Sequence, residues 1–138
     1  MLFRIVKLSM LLISLTLASS GGSQVVFLVS ARKTGKPLPC QIYLKDKTGN
    51  PVQAEGLPFW HDHFVSSGHS ELRLSPGQYT YEIERGPEYF IHTGSFLVTE
   101  EAVTKVAVKL ERFVNMSGHG WWSGDLHVHR PASVVSLK

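Results

Sequence analysis

From Gln24 to Phe113 apolar and polar residues alternate with a period of two, and glycine or proline punctuates the pattern about every 10 residues. That pattern predicts an all-β sandwich, because alternate side chains on a strand face opposite sides and one side can be buried. Strands are predicted at Val25 to Ala31 and at Cys40 to Asp46, where Cys40, Ile42 and Leu44 oppose Gln41, Tyr43 and Lys45. Glu71 to Ser75 and Gln78 to Arg85 read as a hairpin across Pro76-Gly77, with Tyr79, Tyr81 and Ile83 on one face of its second arm. A weaker strand is expected from Gly94 to Thr99. A stronger one runs from Thr104 to Arg112, with Val106, Val108 and Leu110 inward. Thr34-Gly35-Lys36-Pro37 and Lys47-Thr48-Gly49-Asn50-Pro51 supply turn chemistry. Nothing between Gln24 and Phe113 has the 3.6-residue period of a long amphipathic helix.

The first 22 residues are different. Arg4 and Lys7 precede the apolar run Leu8 to Leu17, which is followed by small residues through Gly22. This predicts a secretory signal peptide over 1–22, since the apolar core falls short of the roughly 20 residues of a membrane span. An exported protein, periplasmic or extracellular, with no stable membrane span after cleavage is the corresponding expectation. Removing Arg4 and Lys7 from the 14 basic side chains leaves 12 against 11 acidic ones, so no basic footprint for nucleic acid remains. The single cysteine, Cys40, has no internal disulfide partner and opens an apolar-alternating strand, which predicts a buried thiol.

Chemistry-bearing residues concentrate in two places. In Gly120-Trp121-Trp122-Ser123-Gly124-Asp125-Leu126-His127-Val128-His129, strand geometry would place His127 and His129 on one face, about 7 Å apart at Cβ. Two imidazoles so spaced can grip one metal ion, with Asp125, of the same parity, as a further ligand or an orienting carboxylate. The bland alternative is an edge strand with incidental histidines. Trp121 and Trp122, if exposed, favour an interface. The second concentration is Leu57 to Phe64, read as a loop-like insertion containing Trp60, His61, Asp62 and His63. Either it is a ligand or interdomain loop, or Phe59, Trp60 and Phe64 cap the sandwich while His61, Asp62 and His63 face water. Arg85-Gly86-Pro87-Glu88-Tyr89 reads as a tight strand exit with Glu88 and Tyr89 exposed.

Two family resemblances follow from these motifs. Thr34-Gly35-Lys36-Pro37-Leu38-Pro39-Cys40-Gln41-Ile42-Tyr43-Leu44, the turn Leu74-Ser75-Pro76-Gly77-Gln78-Tyr79-Thr80 and the closing Val106-x-Val108-x-Leu110 resemble the transthyretin-like, carboxypeptidase-regulatory β-sandwich. That resemblance implies a Greek-key domain of about seven strands over 23–114, acting as a scaffold without chemistry of its own. Gly120 to His129 is similar to the opening strand of the PHP metallohydrolase superfamily, in its secreted members that follow a β-sandwich. It implies that residues 115–138 are a linker and the first strand of a hydrolase barrel. His127, His129 and Asp125 would then be part of a divalent metal site of zinc, manganese or iron type, which in such enzymes activates water for hydrolysis of a phosphate or related ester.

The family draws its other ligands from later barrel strands, which have no counterpart within the nine residues after His129. No catalytic residue, and no hydrolase activity from this polypeptide, is therefore expected. Two functions stay open. One is a non-catalytic accessory module from the N-terminal part of such a hydrolase, whose partner through Trp121 and Trp122 is the missing barrel or another protein surface. The other is a free-standing exported binding protein using residues 57–64.

Overall fold

The computed structural model describes residues 22–100 and 102–124. The alternation on each strand is converted into two layers. The first sheet has the order β5-β1-β8, built from β1 (Ser23–Ala31), β5 (His69–Leu74) and β8 (Thr104–Leu110). The second has the order β3-β4-β2-β6-β7, built from β2 (Cys40–Lys45), β3 (Phe59–Trp60), β4 (His63–Ser66), β6 (Gly77–Glu84) and β7 (His92–Val98). All neighbouring strands are antiparallel except β1 and β8, which run parallel with Phe27 opposite Val106. The protein is an all-β, two-sheet sandwich of eight strands among the described residues.

Its core forms where the two inner faces meet. Val25, Phe27 and Val29 of β1 face Ile42 and Leu44 of β2, Phe64 of β4 and Ile83 of β6, all at most 1% exposed. The Phe27 ring approaches Phe64, Tyr81 and Phe96 edge-on, with centroids 6.4, 5.8 and 5.7 Å away. Such edge-to-face pairs place the positive rim of one ring against the negative face of another. Cys40 is buried and free, as its strand position predicts. Burial pushes its thiol up to about 11, beyond the lowering influence of Arg85 and of the Ser66 hydroxyl. It stays a protonated, unreactive thiol at neutral pH.

Two expectations about connections are corrected. Pro76-Gly77 does not close a hairpin: β5 pairs with β1 and β6 with β2 and β7, so this turn carries the chain from one sheet to the other. The reason is packing. Leu72 and Leu74 on β5 and Tyr79 and Ile83 on β6 are all buried, and they fill the core from opposite layers. Residues 57–64 are not a loop but largely a tight hairpin, β3-β4, which extends the larger sheet past β2. Strand limits move by about two residues in β7, which begins at His92 rather than Gly94.

Candidate functional site

The β3-β4 hairpin holds four residues singled out in the sequence, and register decides where they point. Phe64 opposes Ile42 and is fully buried, so His63 lies on the opposite, outer face, opposite Trp60 on β3. One residue further along the β2 register, the Tyr43 ring packs at a tilt against His63, with ring centroids 4.8 Å apart. Asp62 Oδ1 lies 3.0 Å from His63 Nδ1, which orients the imidazole. The His63 side chain is 14% exposed, whereas Trp60 is 54% exposed. The sandwich-capping reading therefore holds for Phe64 and the half-buried Phe59 but not for Trp60, and His61 and Asp62 face solvent.

The turn itself is strained. The Asp62 N–H donates to the Trp60 carbonyl at 2.7 Å, and the intervening His61 has φ 53°. A three-residue turn with positive φ is rare, and a residue with a Cβ is disfavoured there by roughly 1–3 kcal/mol. His61→Gly is accordingly expected to raise stability by about 0.5–1 kcal/mol, whereas the β-branched His61→Val should lower it by more than about 1 kcal/mol. Urea denaturation of the three proteins checks this. Equal losses from both substitutions would mean that the imidazole, rather than the backbone, holds the turn.

On the same outer face the Tyr43 hydroxyl lies 3.4 Å from Glu84 Oε2 and 3.4 Å from Gln41 Oε1. Burial, then the charges of Glu84, Asp62 and Glu82, hold this phenol protonated above its usual range. An open groove of about 660 Å³ runs beside it, lined in part by Lys45, Asp62, Thr80, Glu82 and Ser95. Tyr43 and Glu82 were not read from the sequence as site residues. Their outward parity was visible there, but their partners lie far away in sequence.

A second site forms where the chain leaves β8. Glu88 and Tyr89, expected to be exposed, are half-buried because the exit segment packs on them. The Phe90 N–H donates to the Glu111 carbonyl and the Phe113 N–H to that of Glu88, both at 3.0 Å, around a bridge between Tyr89 and Arg112. Arg112 Nε donates to Glu88 Oε2 at 2.8 Å, Nη2 donates to the same oxygen, and the Met116 N–H donates to Oε1 at 2.9 Å. These bonds from Arg112 and then Met116 hold the Glu88 carboxyl below the usual carboxylate range. Residues 115–121 then close into a compact turn around the 3₁₀ segment Ser117–His119. Beyond it Trp121 and Trp122 are 69% and 83% exposed and border a cleft of about 800 Å³ shared with Tyr89, Arg112 and Met116.

With this geometry in hand, comparison with known proteins gives a fold and nothing finer. No known protein family matches the sequence, and no curated protein does. A solved structure, that of the Bacillus anthracis TIE protein, is similar to this chain at a TM-score of 0.51 and 19% identity. The match covers 65% of this chain and 17% of that one, so this chain matches only a small part of a much longer protein. At this identity the likeness supports the β-sandwich architecture alone.

Asp125, His127 and His129 lie outside the described residues. Among the described residues no three His, Cys, Asp or Glu side chains come together as a metal-holding group, so His61, Asp62 and His63 do not form one. Nor, among those residues, is any helix long and apolar enough to cross a membrane.

Proposed function

We propose that this chain is a non-catalytic, exported β-sandwich module that belongs in front of a PHP-type metal-dependent hydrolase and docks its barrel through the exit segment. The observation that carries the reading is the Glu88 clamp. It uses both oxygens of one carboxylate to tie Arg112 and Met116 down, and it does so a few residues before two highly exposed tryptophans. A flexible linker would need no such clamp. Phe90 and Phe113, each more than half exposed and packed at a tilt with ring centroids 4.8 Å apart, extend apolar surface at the same end of the sandwich. Exposed aromatic area of this kind marks interaction surfaces. By donor chemistry Asp125, His127 and His129 fit part of a divalent metal site, and the metal there would supply activated water to the barrel's reaction. The sandwich's own contribution is to hold the entry of that strand in place.

Reading the gene beyond codon 138 tests the assignment. Further histidine and acidic ligands in a barrel-coding continuation are expected, and a stop followed by unrelated sequence would overturn the reading. The clamp has its own test. In Glu88→Ala, amide hydrogen exchange at Met116 is expected to rise at least about tenfold, because its N–H loses a charged acceptor, and exchange at Phe113 is expected to rise less, because its bond to the main-chain carbonyl of residue 88 remains but loses the support of the Arg112 pair, with core amides unchanged. Unchanged exchange at both positions would mean that Glu88 does not hold the exit.

One observation favours the second reading, a binding protein that works through the β3-β4 hairpin. The strained His61 turn joins an exposed Trp60 to Asp62, which lines a polar groove. Strain of this kind is retained where surrounding structure or a ligand makes use of it.

A further inference from the structure

The outer face of the five-stranded sheet carries one unbroken row of side chains that crosses every strand. Trp60 on β3 is opposite His63 on β4, and His63 packs at a tilt against Tyr43 of β2. Tyr43 is opposite Glu82 of β6, which is opposite Thr93 of β7. The aromatic half of the row is therefore continuous with a polar half. The groove beside it is lined by acceptors, Asp62 and Glu82, and by donors from the neighbouring cross-strand row, Lys45, Thr80 and Ser95.

The geometry points to a binding site for a neutral oligosaccharide laid across the strands. A pyranose ring offers an apolar C–H face, which suits the negative face of an aromatic ring, and a rim of hydroxyls that both donate and accept. Tyr43 supplies the ring that lines the groove, and the exposed Trp60 a second ring at the end of the row on β3. Carboxylates at Asp62 and Glu82 accept charge-assisted hydrogen bonds from sugar hydroxyls, and Lys45, Thr80 and Ser95 donate to hydroxyl oxygens. The competing occupant is a cationic group, which carboxylates beside aromatic rings would also attract. Two observations weigh against it. Asp62 is half exposed and Glu82 faces solvent, where water screens ion pairing to a weak effect. Lys45 lies in the same groove and repels a cation. The site deepens the hairpin-binding reading, rests on it, and uses none of the residues of the Glu88 clamp.

The test is isothermal calorimetry of the full chain against cellohexaose, xylohexaose, mannohexaose and chitohexaose, with tetramethylammonium chloride as the cationic probe. At least one oligosaccharide is expected to bind with a Kd on the order of 0.1 mM, with little salt dependence. Tyr43→Ala and the isosteric Glu82→Gln should each weaken it about tenfold or more, while Glu111→Gln, just past the end of β8, leaves it unchanged. Folding of each variant is confirmed by circular dichroism, and Glu82→Gln carries the test if Tyr43→Ala unfolds. No heat from any of the four sugars, or binding indifferent to both substitutions, overturns the inference. Salt-sensitive binding of tetramethylammonium lost in Tyr43→Ala would also overturn it, yet would leave the hairpin a ligand site. Silence from all five probes would remove both.

Discussion

Phe27→Ala is expected to destabilise the sandwich by about 3–5 kcal/mol, a large share of the roughly 5–15 kcal/mol that holds a domain of this size together. Phe27 is fully buried at the centre of β1, the strand to which both β5 and β8 are bonded. Its ring is the shared partner of Phe64, Tyr81 and Phe96, which come from three strands of the opposite sheet. Truncation removes the transfer energy of the ring and leaves a void that three aromatic neighbours on separate strands cannot close together. Leu28→Ala, next in sequence but 40% exposed on the outer face, is expected to cost less than about 1 kcal/mol. Urea unfolding of both variants measures the difference. Equal costs would mean that the two sheets do not meet at Phe27.

Gly68→Ala is the second large effect, at about 3 kcal/mol or more. Gly68 lies between β4 and β5, where the chain passes from the larger sheet to the smaller, and it has φ 106°. Its carbonyl accepts from the Val29 N–H at 2.7 Å, beside the bond from the Leu38 N–H to the Val29 carbonyl at 3.0 Å. A Cβ there would lie 2.6 Å from Leu38 N and 2.9 Å from Val29 O, so it would wedge into that backbone bond. Backbone atoms cannot rotate away as a flexible side chain can, and the positive φ adds strain of its own. Gly35→Ala, at φ 69° but with nothing within 4 Å of its Cβ, isolates the conformational part and is expected to cost only about 1 kcal/mol. Thermal melts of the pair separate the two contributions. If they shift equally, the close approach at Gly68 is not what makes that residue glycine.

What could be read in the chain was whatever depends on neighbours in sequence. The alternation at Cys40 to Lys45 and Thr104 to Leu110 declared which side chains face inward, and every one of Cys40, Ile42, Leu44, Val106, Val108 and Leu110 is buried. The all-β class and the buried thiol follow from the same period of two. What could not be read depends on partners distant along the chain. Leu72 and Tyr79 look like two arms of one hairpin because both alternate across a Pro-Gly turn, yet either sheet offers a buried side to them. Only the competition for partners, with β1 taking β5 and β2 taking β6, assigns them to opposite layers.

The two candidate sites divide in the same way. The cluster Trp60, His61, Asp62 and His63 was visible because its members are adjacent. Its extension through Tyr43 and Glu82 required the β2 register with β4 and β6, which spans some 40 residues of sequence. Glu88 looked like an exposed loop acid for a similar reason: Arg112 and Met116, which make it a clamp, lie 24 and 28 residues away. Side-chain direction is set by local backbone geometry, so the order of residues along each strand already fixes which of its sides is apolar. The tertiary structure alone decided which strands share a sheet and which polar side chains meet on its outer face, because those outcomes minimise the energy of the whole core rather than of any one segment.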